Sequence, residues 1–250
     1  MLYNEPNTQE FFMMTKFLSH RGESDDAPEN TLAAYKLAME RDSDGIELDL
    51  RLTADQQIVC FHDEDLKRVA GVPLAIKHTA LEDLRAYWPA PLFREALPIL
   101  EGDKIIQVEL KEGPRIVPPV KALLDGCIER LPQLCFSSFE TDTIHAVSEA
   151  FPTVPRILLI NLEEHFGRFP EAAEALDYAK QFGCTGISFL ATLRADAAFV
   201  EALHRAEMRV VCWGVGSDEL GLAMAGIGVD AMTCNHAIAL RAEYRKRIAG

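Results

Sequence analysis

Short apolar runs alternate with longer amphipathic stretches from Lys16 almost to the C-terminus. Extended runs are expected at 16–20 (KFLSH), 45–50 (GIELDL), 57–62 (QIVCFH), 104–110, 134–139, 154–160, 185–190, 209–215 and 230–235. Helical periodicity fills most of the intervals, at 31–41, 115–130, 141–150, 170–182, 195–207, 217–225 and 236–248. Such βα alternation specifies a parallel sheet with helices outside it. Nine runs exceed an eight-stranded barrel by one. The surplus lies between Asp49 and His62, where twelve residues carry no helical pattern. A parallel crossover takes a dozen or more residues, usually with a helix. A hairpin turning at 54–57 fits better, and it brings His62 back opposite Asp49. The expectation is an α/β chain folded as a (β/α)8 TIM barrel, with a hairpin after strand 2. An open doubly wound sheet would carry a Gly-rich phosphate loop after its first strand; here that loop reads HRGESDDAPEN. No Gly/Ser linker divides the chain, so residues 16–248 are expected as one domain behind an N-terminal lead, residues 1–15. Met13 and Met14 are alternative starts.

Strand parity places the candidate chemistry. Alternate residues of a strand face one side, so Glu47 and Asp49 share a face opposite Ile46, Leu48 and Leu50. Glu109 and Lys111 likewise oppose Ile106, Val108 and Leu110. The apolar face of a barrel strand packs on the outer helices, which sends the charged set inward near the C-terminal mouth, where barrel enzymes keep their sites. Three inward carboxylates repel one another and are costly to bury. A hard divalent cation relieves both problems, and all-oxygen ligation suits Mg2+ or Ca2+. Glu47, Asp49 and Glu109 are the expected ligands of one such ion. His20 and His62 arrive at the same level as an acid and a base. Arg21 offers a planar fork for a phosphate oxygen, or a partner for the ligand carboxylates. His78, His145, His165 and His204 read as structural or surface histidines.

Charge narrows the partners. There are 25 Lys and Arg against 39 Asp and Glu, a formal net charge of −14 with histidines neutral. No basic cluster is present to release counterions from nucleic acid, so nucleic-acid binding is excluded. An anionic bilayer would repel the same surface, and no apolar stretch approaches the roughly 20 residues of a span. The six cysteines (Cys60, Cys127, Cys135, Cys184, Cys212, Cys234) are spread singly, without metal-ligand spacing. They read as core thiols in a reducing cytoplasm. The N-terminus lacks the basic and apolar regions of a signal peptide.

HRG at 20–22, PENT at 28–31, IELDLRLTADQQIVCFHDEDL at 46–66 and VELK at 108–111 together resemble the glycerophosphodiester phosphodiesterase family. SSF at 137–139, CWGV at 212–215 and GVDAMT at 228–233 are weaker echoes. The resemblance implies a TIM barrel with a small insertion at about 64–98. It implies hydrolysis of a small glycerophosphodiester to sn-glycerol 3-phosphate and an alcohol. It also implies His20 and His62 as acid and base, and a metal on Glu47, Asp49 and Glu109. Arg21 and Lys111 would then hold the phosphate, while Glu29 and Asn30 support the site unless Asn30 or Thr31 merely caps a helix.

Two places depart from the family pattern. Where the family reads W-T-V-N and T-D-x-P, this chain has Trp213-Gly214-Val215-Gly216 and Thr233-Cys234-Asn235-His236. Trp213 either packs on substrate carbons or belongs to the core, and the glycines either open the mouth or serve a tight turn. His236, at the end of the last strand, is within reach of the mouth. The glycerol preference is what these changes affect. The second departure is a missing helix before the 104–110 strand. Either a helix at 79–87, with TALED as capping box, fills the place, or a gap offers apolar surface for a homo-oligomer. Two other functions compete: a phosphodiesterase or lyase acting on another small phosphodiester or lipid headgroup, and a non-catalytic binding barrel. Retention of both histidines and all three carboxylates argues against the last.

Overall fold

The computed structural model describes residues 14–99 and 102–249. Its strands are β1 (Lys16–His20), β2 (Gly45–Leu52), β3 (Ile58–Cys60), β4 (Ile105–Leu110), β5 (Leu134–Ser138), β6 (Arg156–Ile160), β7 (Gly186–Leu190), β8 (Arg209–Trp213) and β9 (Ala231–Cys234). Each lies on one of the expected runs. β1 pairs in parallel with both β2 and β9, and the ladder β2-β4-β5-β6-β7-β8-β9 closes the ring. The result is a closed barrel of eight parallel strands, with β3 antiparallel on β2 and bridged on its other edge to Leu92. Of the N-terminal lead, residues 1–13 and the proposed start at Met13 lie outside the described residues. Thr15 is already part of the barrel, donating its hydroxyl to the Val229 carbonyl at 2.8 Å.

The parity expectation holds on both faces. Ile46, Leu48 and Leu50 of β2 and Ile106, Val108 and Leu110 of β4 are buried against Tyr35 and Ala38 of helix Leu32–Glu40 and Val117 and Val120 of helix Val117–Leu124. Burying each such side chain contributes roughly 1.5–3 kcal/mol. The barrel interior is apolar at its lower end, where Leu18, Cys135, Ile157, Val211 and Ala231 pack together. Its polar residues are thereby concentrated at the upper end. All six cysteines are free and five are buried. No helix among the described residues is long and apolar enough to cross a membrane.

The hairpin departs from expectation by one residue. Leu50 pairs with Cys60 and Leu52 with Ile58, and the Phe61 amide donates to the Asp49 carbonyl at 3.0 Å. Phe61, not His62, therefore stands opposite Asp49. The turn explains the shift: Thr53 and Gln57 close it, with Thr53 N donating to Gln57 O (3.1 Å) and Gln57 N to Thr53 Oγ1 (2.9 Å). The loop is thus one residue longer than a turn at 54–57, and a one-residue slip exchanges the faces. Phe61 goes into a satellite cluster with Val59, Leu66, Ile76, Leu84 and Leu92. His62 leaves the ladder, and its carbonyl accepts from Arg51 Nε at 2.8 Å.

The segment after the hairpin also resolves differently. The helix expected at 79–87 is Leu81–Arg85, with Ala80 as its cap and no capping box. Thr79 instead donates its hydroxyl back to Ala75 O (2.8 Å), and Asp55 of the hairpin turn accepts from Leu81 N at 3.1 Å. Nor does this helix fill the vacancy before β4. Phe93, Ala96 and Leu97, from the helical turns Phe93–Ala96 and Leu97–Ile99, enter the same core cluster as β2 and β4. The place left open by the two alternatives, a helix at 79–87 or a gap, is filled from within the chain by these turns. Phe93→Ala should accordingly cost about 3–5 kcal/mol in denaturant unfolding. Tyr87→Ala, at a 52% exposed position, should stay within about 0.5 kcal/mol. Equal costs would refute this placement.

Candidate active site

A sharp turn at the end of β1 begins the site. Arg21 and Gly22 both have positive φ, +58° and +81°. A Cβ on Gly22 would lie 2.7 Å from the backbone of Ala34, so only glycine fits between this turn and the following helix. The turn aims the Arg21 amide at Glu47 Oε2 (3.2 Å). It also sets the guanidinium between Glu29, at 2.9 Å from Nη1, and Asp49, at 3.4 Å from Nε. Thr31 caps the helix by accepting from Ala34 N (3.3 Å). Asn30 has a different task. Its Nδ2 donates to Asp49 Oδ2 at 2.8 Å, while its Oδ1 accepts from Asp49 N (3.2 Å) and Tyr35 Oη (2.9 Å).

The expected carboxylates converge. Asp49 and Glu109 are neighbours across the β2–β4 ladder, and oxygens of Glu47, Asp49 and Glu109 all lie within 4.8 Å of one another. Lys111 Nζ sits 2.6 Å from Glu109 Oε1 and 3.1 Å from Asp49 Oδ1. Burial, followed by the charges of Asp49 and Glu109, pushes Glu47 well above the usual carboxylate range. Glu109 is pushed up to about 7, by burial and then by Asp49. Burial works on Asp49 too, but Lys111, His62 and Arg21 outweigh it and hold this carboxyl well below its ordinary value. One firm carboxylate thus stands beside two that are biased toward their protonated forms. Asp49 Oδ1 is buried with the Lys111 ammonium 3.1 Å away. A hard divalent cation fits this set, because three oxygen donors already converge and its charge would ionise both glutamates.

Both histidines face the same cavity, each held at Nδ1. His20 Nδ1 is 2.7 Å from Asn235 Oδ1, and His62 Nδ1 is 2.6 Å from Asp63 Oδ1. Burial lowers the pKa of both, helped at His20 by Arg21 and at His62 by Lys111. The cavity is about 650 Å³. Its charged side carries His20, Arg21, Glu47, His62, Glu109 and Lys111, and its apolar side Phe139, Leu159, Trp213 and Val215. Trp213 packs edge-to-face on Phe139, with centroids 5.3 Å apart, and donates Nε1–H to Ser188 O at 3.2 Å. Gly214 has φ +69°, and a side chain there would meet Leu190. Gly216 faces open space and lines the mouth. Cys234 lines it too, its buried thiol raised to about 12, and His236 pairs with Asp218 at 3.0 Å.

Asp49 and Glu29 are the expected site residues that do not line the cavity: Asp49 is buried beneath it. Glu29 stands behind Arg21, shared with Arg68, whose Nη1 and Nη2 reach it at 2.8 and 2.6 Å. Arg68 was not foreseen. Its partner Glu29 is 39 positions away, and the stretch between them has no periodicity that would pair them. Asn235 was named only as a departure from pattern, although it shares the inward parity of Thr233.

The two glutamates give a signed prediction. Their pKa values are raised above the roughly 4.3 of an unfolded glutamate. The stability linked to them is therefore full below about pH 4.3 and is lost as pH rises, for Glu109 through about 7 and for Glu47 well above the ordinary carboxylate range. A cation that replaces these protons should stabilise most where they are lost. Mg2+ or Ca2+ should raise the melting temperature more at about pH 8 than at about pH 5.5, and Glu47→Gln should shrink the gain. An equal gain at both pH values would exclude the cluster as the binding site.

Known proteins are similar to this chain in sequence or in fold. A glycerophosphodiester phosphodiesterase from Caldanaerobacter subterraneus subsp. tengcongensis is 33% identical over 56% of this chain and 64% of its own. One from Bacillus altitudinis is 25% identical over 88% of this chain and 94% of its own. A phosphodiesterase of Oleispira antarctica, solved in complex with the product sn-glycerol-3-phosphate, superposes with a TM-score of 0.77 at 23% identity, covering 95% of this chain and 98% of that one. Residues 20–239 match the glycerophosphoryl diester phosphodiesterase family, and the chain belongs to it as a phosphodiesterase barrel.

Proposed function

We propose that a single barrel domain, residues 16–248, hydrolyses a glycerophosphodiester to sn-glycerol 3-phosphate and a free alcohol with one divalent cation, Mg2+ or Ca2+, on Glu47, Asp49 and Glu109. The observation that carries this reading is the approach of three carboxylates, their oxygens within 4.8 Å of one another, beside two imidazoles each anchored at Nδ1. The product bound by the Oleispira antarctica enzyme is a small phosphate ester of the kind this cavity would accept. The six free cysteines agree with work in a reducing cytoplasm.

Each residue has a distinct task. Bound by the carboxylates, the cation would supply Lewis-acid stabilisation of charge on the phosphoryl oxygens. Arg21 presents its fork and Lys111 a point charge to the same phosphate. With Nδ1 engaged, Nε2 of each histidine is left for proton transfer. One imidazole takes the proton from the attacking hydroxyl as its oxygen bonds to phosphorus, and the other gives a proton to the departing alcohol oxygen as its bond breaks. The attacking group is first the neighbouring glycerol hydroxyl, giving a cyclic phosphate, and then water, which opens it. Trp213 provides an apolar face for substrate carbons, and Gly216 leaves room beside it.

Magnitudes require all of these parts. Acid–base catalysis contributes about 10²–10⁴-fold, and each placed electrostatic donor roughly 3–4 kcal/mol. Enzymatic acceleration needs about 8–23 kcal/mol in total. His20→Ala and His62→Ala should each lower kcat/KM by about 10²–10⁴-fold on glycerophosphoethanolamine. EDTA should abolish turnover, and added Mg2+ or Ca2+ should restore it. A diester lacking the hydroxyl next to the phosphate ester should be refractory. Turnover that ignores EDTA would overturn the metal assignment, and equal turnover of both diesters would overturn the cyclic route.

A further inference from the structure

The segment after the hairpin delivers one charged side chain to the site. Leu66 is fully buried with Val59, Phe61, Ile76 and Leu84, and the helical turn Lys67–Ala70 starts directly after it. Leu66 N donates to Leu74 O at 3.1 Å and Ile76 N to Glu64 O at 2.9 Å, so this turn is tied down on both sides. Val69 and Ala70 pack on the same cluster. Arg68 immediately precedes them and bridges two acidic groups. Its Nη1 and Nη2 reach Glu29 at 2.8 and 2.6 Å, while its Nε and Nη2 reach Asp63 at 2.7 and 3.2 Å.

Those two acids hold different parts of the reaction centre. Asp63 anchors His62 Nδ1 at 2.6 Å, and Glu29 anchors Arg21 Nη1 at 2.9 Å. Arg68 therefore closes an unbroken run of alternating charge from His62 through Asp63, Glu29 and Arg21 to Asp49. Four hydrogen bonds from one planar fork fix the mutual geometry of both carboxylates, which a single ammonium could not do. Stability is a poor reason for the arrangement: the Arg68 side chain is 49% exposed, and exposed ion pairs contribute little.

We propose that Arg68 is a positioning residue, whose fork locks Asp63 to Glu29 so that His62 and Arg21 meet one phosphodiester in a fixed relative orientation. The small segment around it thereby serves the site as the rigid mount of that fork. This assignment rests on the roles of His62 and Arg21 given above. Loss of the lock should act on the chemical step, because a misplacement of about 1 Å costs about 10²-fold. Binding should suffer less, since Arg21 keeps Glu29 and Asp49 as partners.

The test uses the full-length protein with Mg2+ and glycerophosphoethanolamine. Arg68→Gln should lower kcat by about 10–100-fold with KM changed less than about threefold, at an unchanged melting temperature. Arg68→Lys, which keeps charge and stem and serves also if R68Q fails to fold, should remain impaired. Added guanidinium should restore part of kcat to Arg68→Ala. A kcat for R68Q within about twofold of wild type, or a fully active R68K, would overturn the proposal. A second readout needs no turnover. The His62 Nδ1 proton, assigned by NMR with His62→Gln, should be a protected downfield resonance in the wild type and be broadened or lost in R68Q. Should the wild type prove inert on glycerophosphodiesters, the functional reading fails, while this resonance still decides whether Arg68 holds His62; an unchanged signal in R68Q would sink the idea.

Discussion

Like charge on adjacent rungs of β2 and β4 is the constraint around which the site is built. Asp49 and Glu109 are direct neighbours on parallel strands, and Glu47 is two residues below Asp49 on the same face. Parallel strands run about 4.7–4.9 Å apart, and a buried site gives little screening. Both glutamates are driven toward the protonated state while Asp49 stays ionised. Asp49 holds its charge because the surrounding elements supply it: Lys111 from the end of β4, Arg21 from the end of β1, and the Asn30 amide from the loop before the first helix.

The loop from 20 to 31 consequently carries more than its length suggests. It contains three separate devices: a glycine turn that aims the Arg21 amide at Glu47, an asparagine that grips Asp49 from both its side chain and its backbone, and a threonine that caps the helix. Its positive-φ positions, Arg21 and Asn30, are strained for side-chain-bearing residues. The strain is held by contacts to β2 and by the Asn30 N to Arg21 O hydrogen bond at 2.9 Å. On the other side of the cavity the demands are different. Phe139, Leu159, Trp213 and Val215 build an apolar wall, with Gly214 and Gly216 beside it.

Much of this was legible one residue at a time. Strand parity on GIELDL and IIQVEL separates the helix-facing residues from the pocket-facing ones, and the structure keeps that division at every position. The motifs at the strand ends marked His20, Arg21, His62 and Lys111, which all line the cavity. Failures occurred where a distance along the chain had to be converted into a contact. The hairpin register missed by one because the hydroxyl of Thr53 lengthens the turn. The expected capping box failed because Asp55, from another element, serves the Leu81 amide. Glu29 was expected only to support the site, and its two arginine partners could not be read from its motif.

By itself the sequence determined the alternation of elements, the eight-stranded count once the hairpin was removed, the shared face of Glu47 and Asp49 and of Glu109 and Lys111, and the excess of acid. These follow from a period of two or 3.6 residues and from composition, both of which are local or additive. Only the tertiary structure decided that Phe61 rather than His62 opposes Asp49, that Phe93 rather than residues 79–87 fills the helical ring, and that Arg68 joins Asp63 to Glu29. Each of these depends on barrel closure and turn geometry bringing together residues many positions apart. No periodicity encodes that meeting, because hydrogen bonds and ion pairs of this kind are selected by three-dimensional proximity after the backbone has closed.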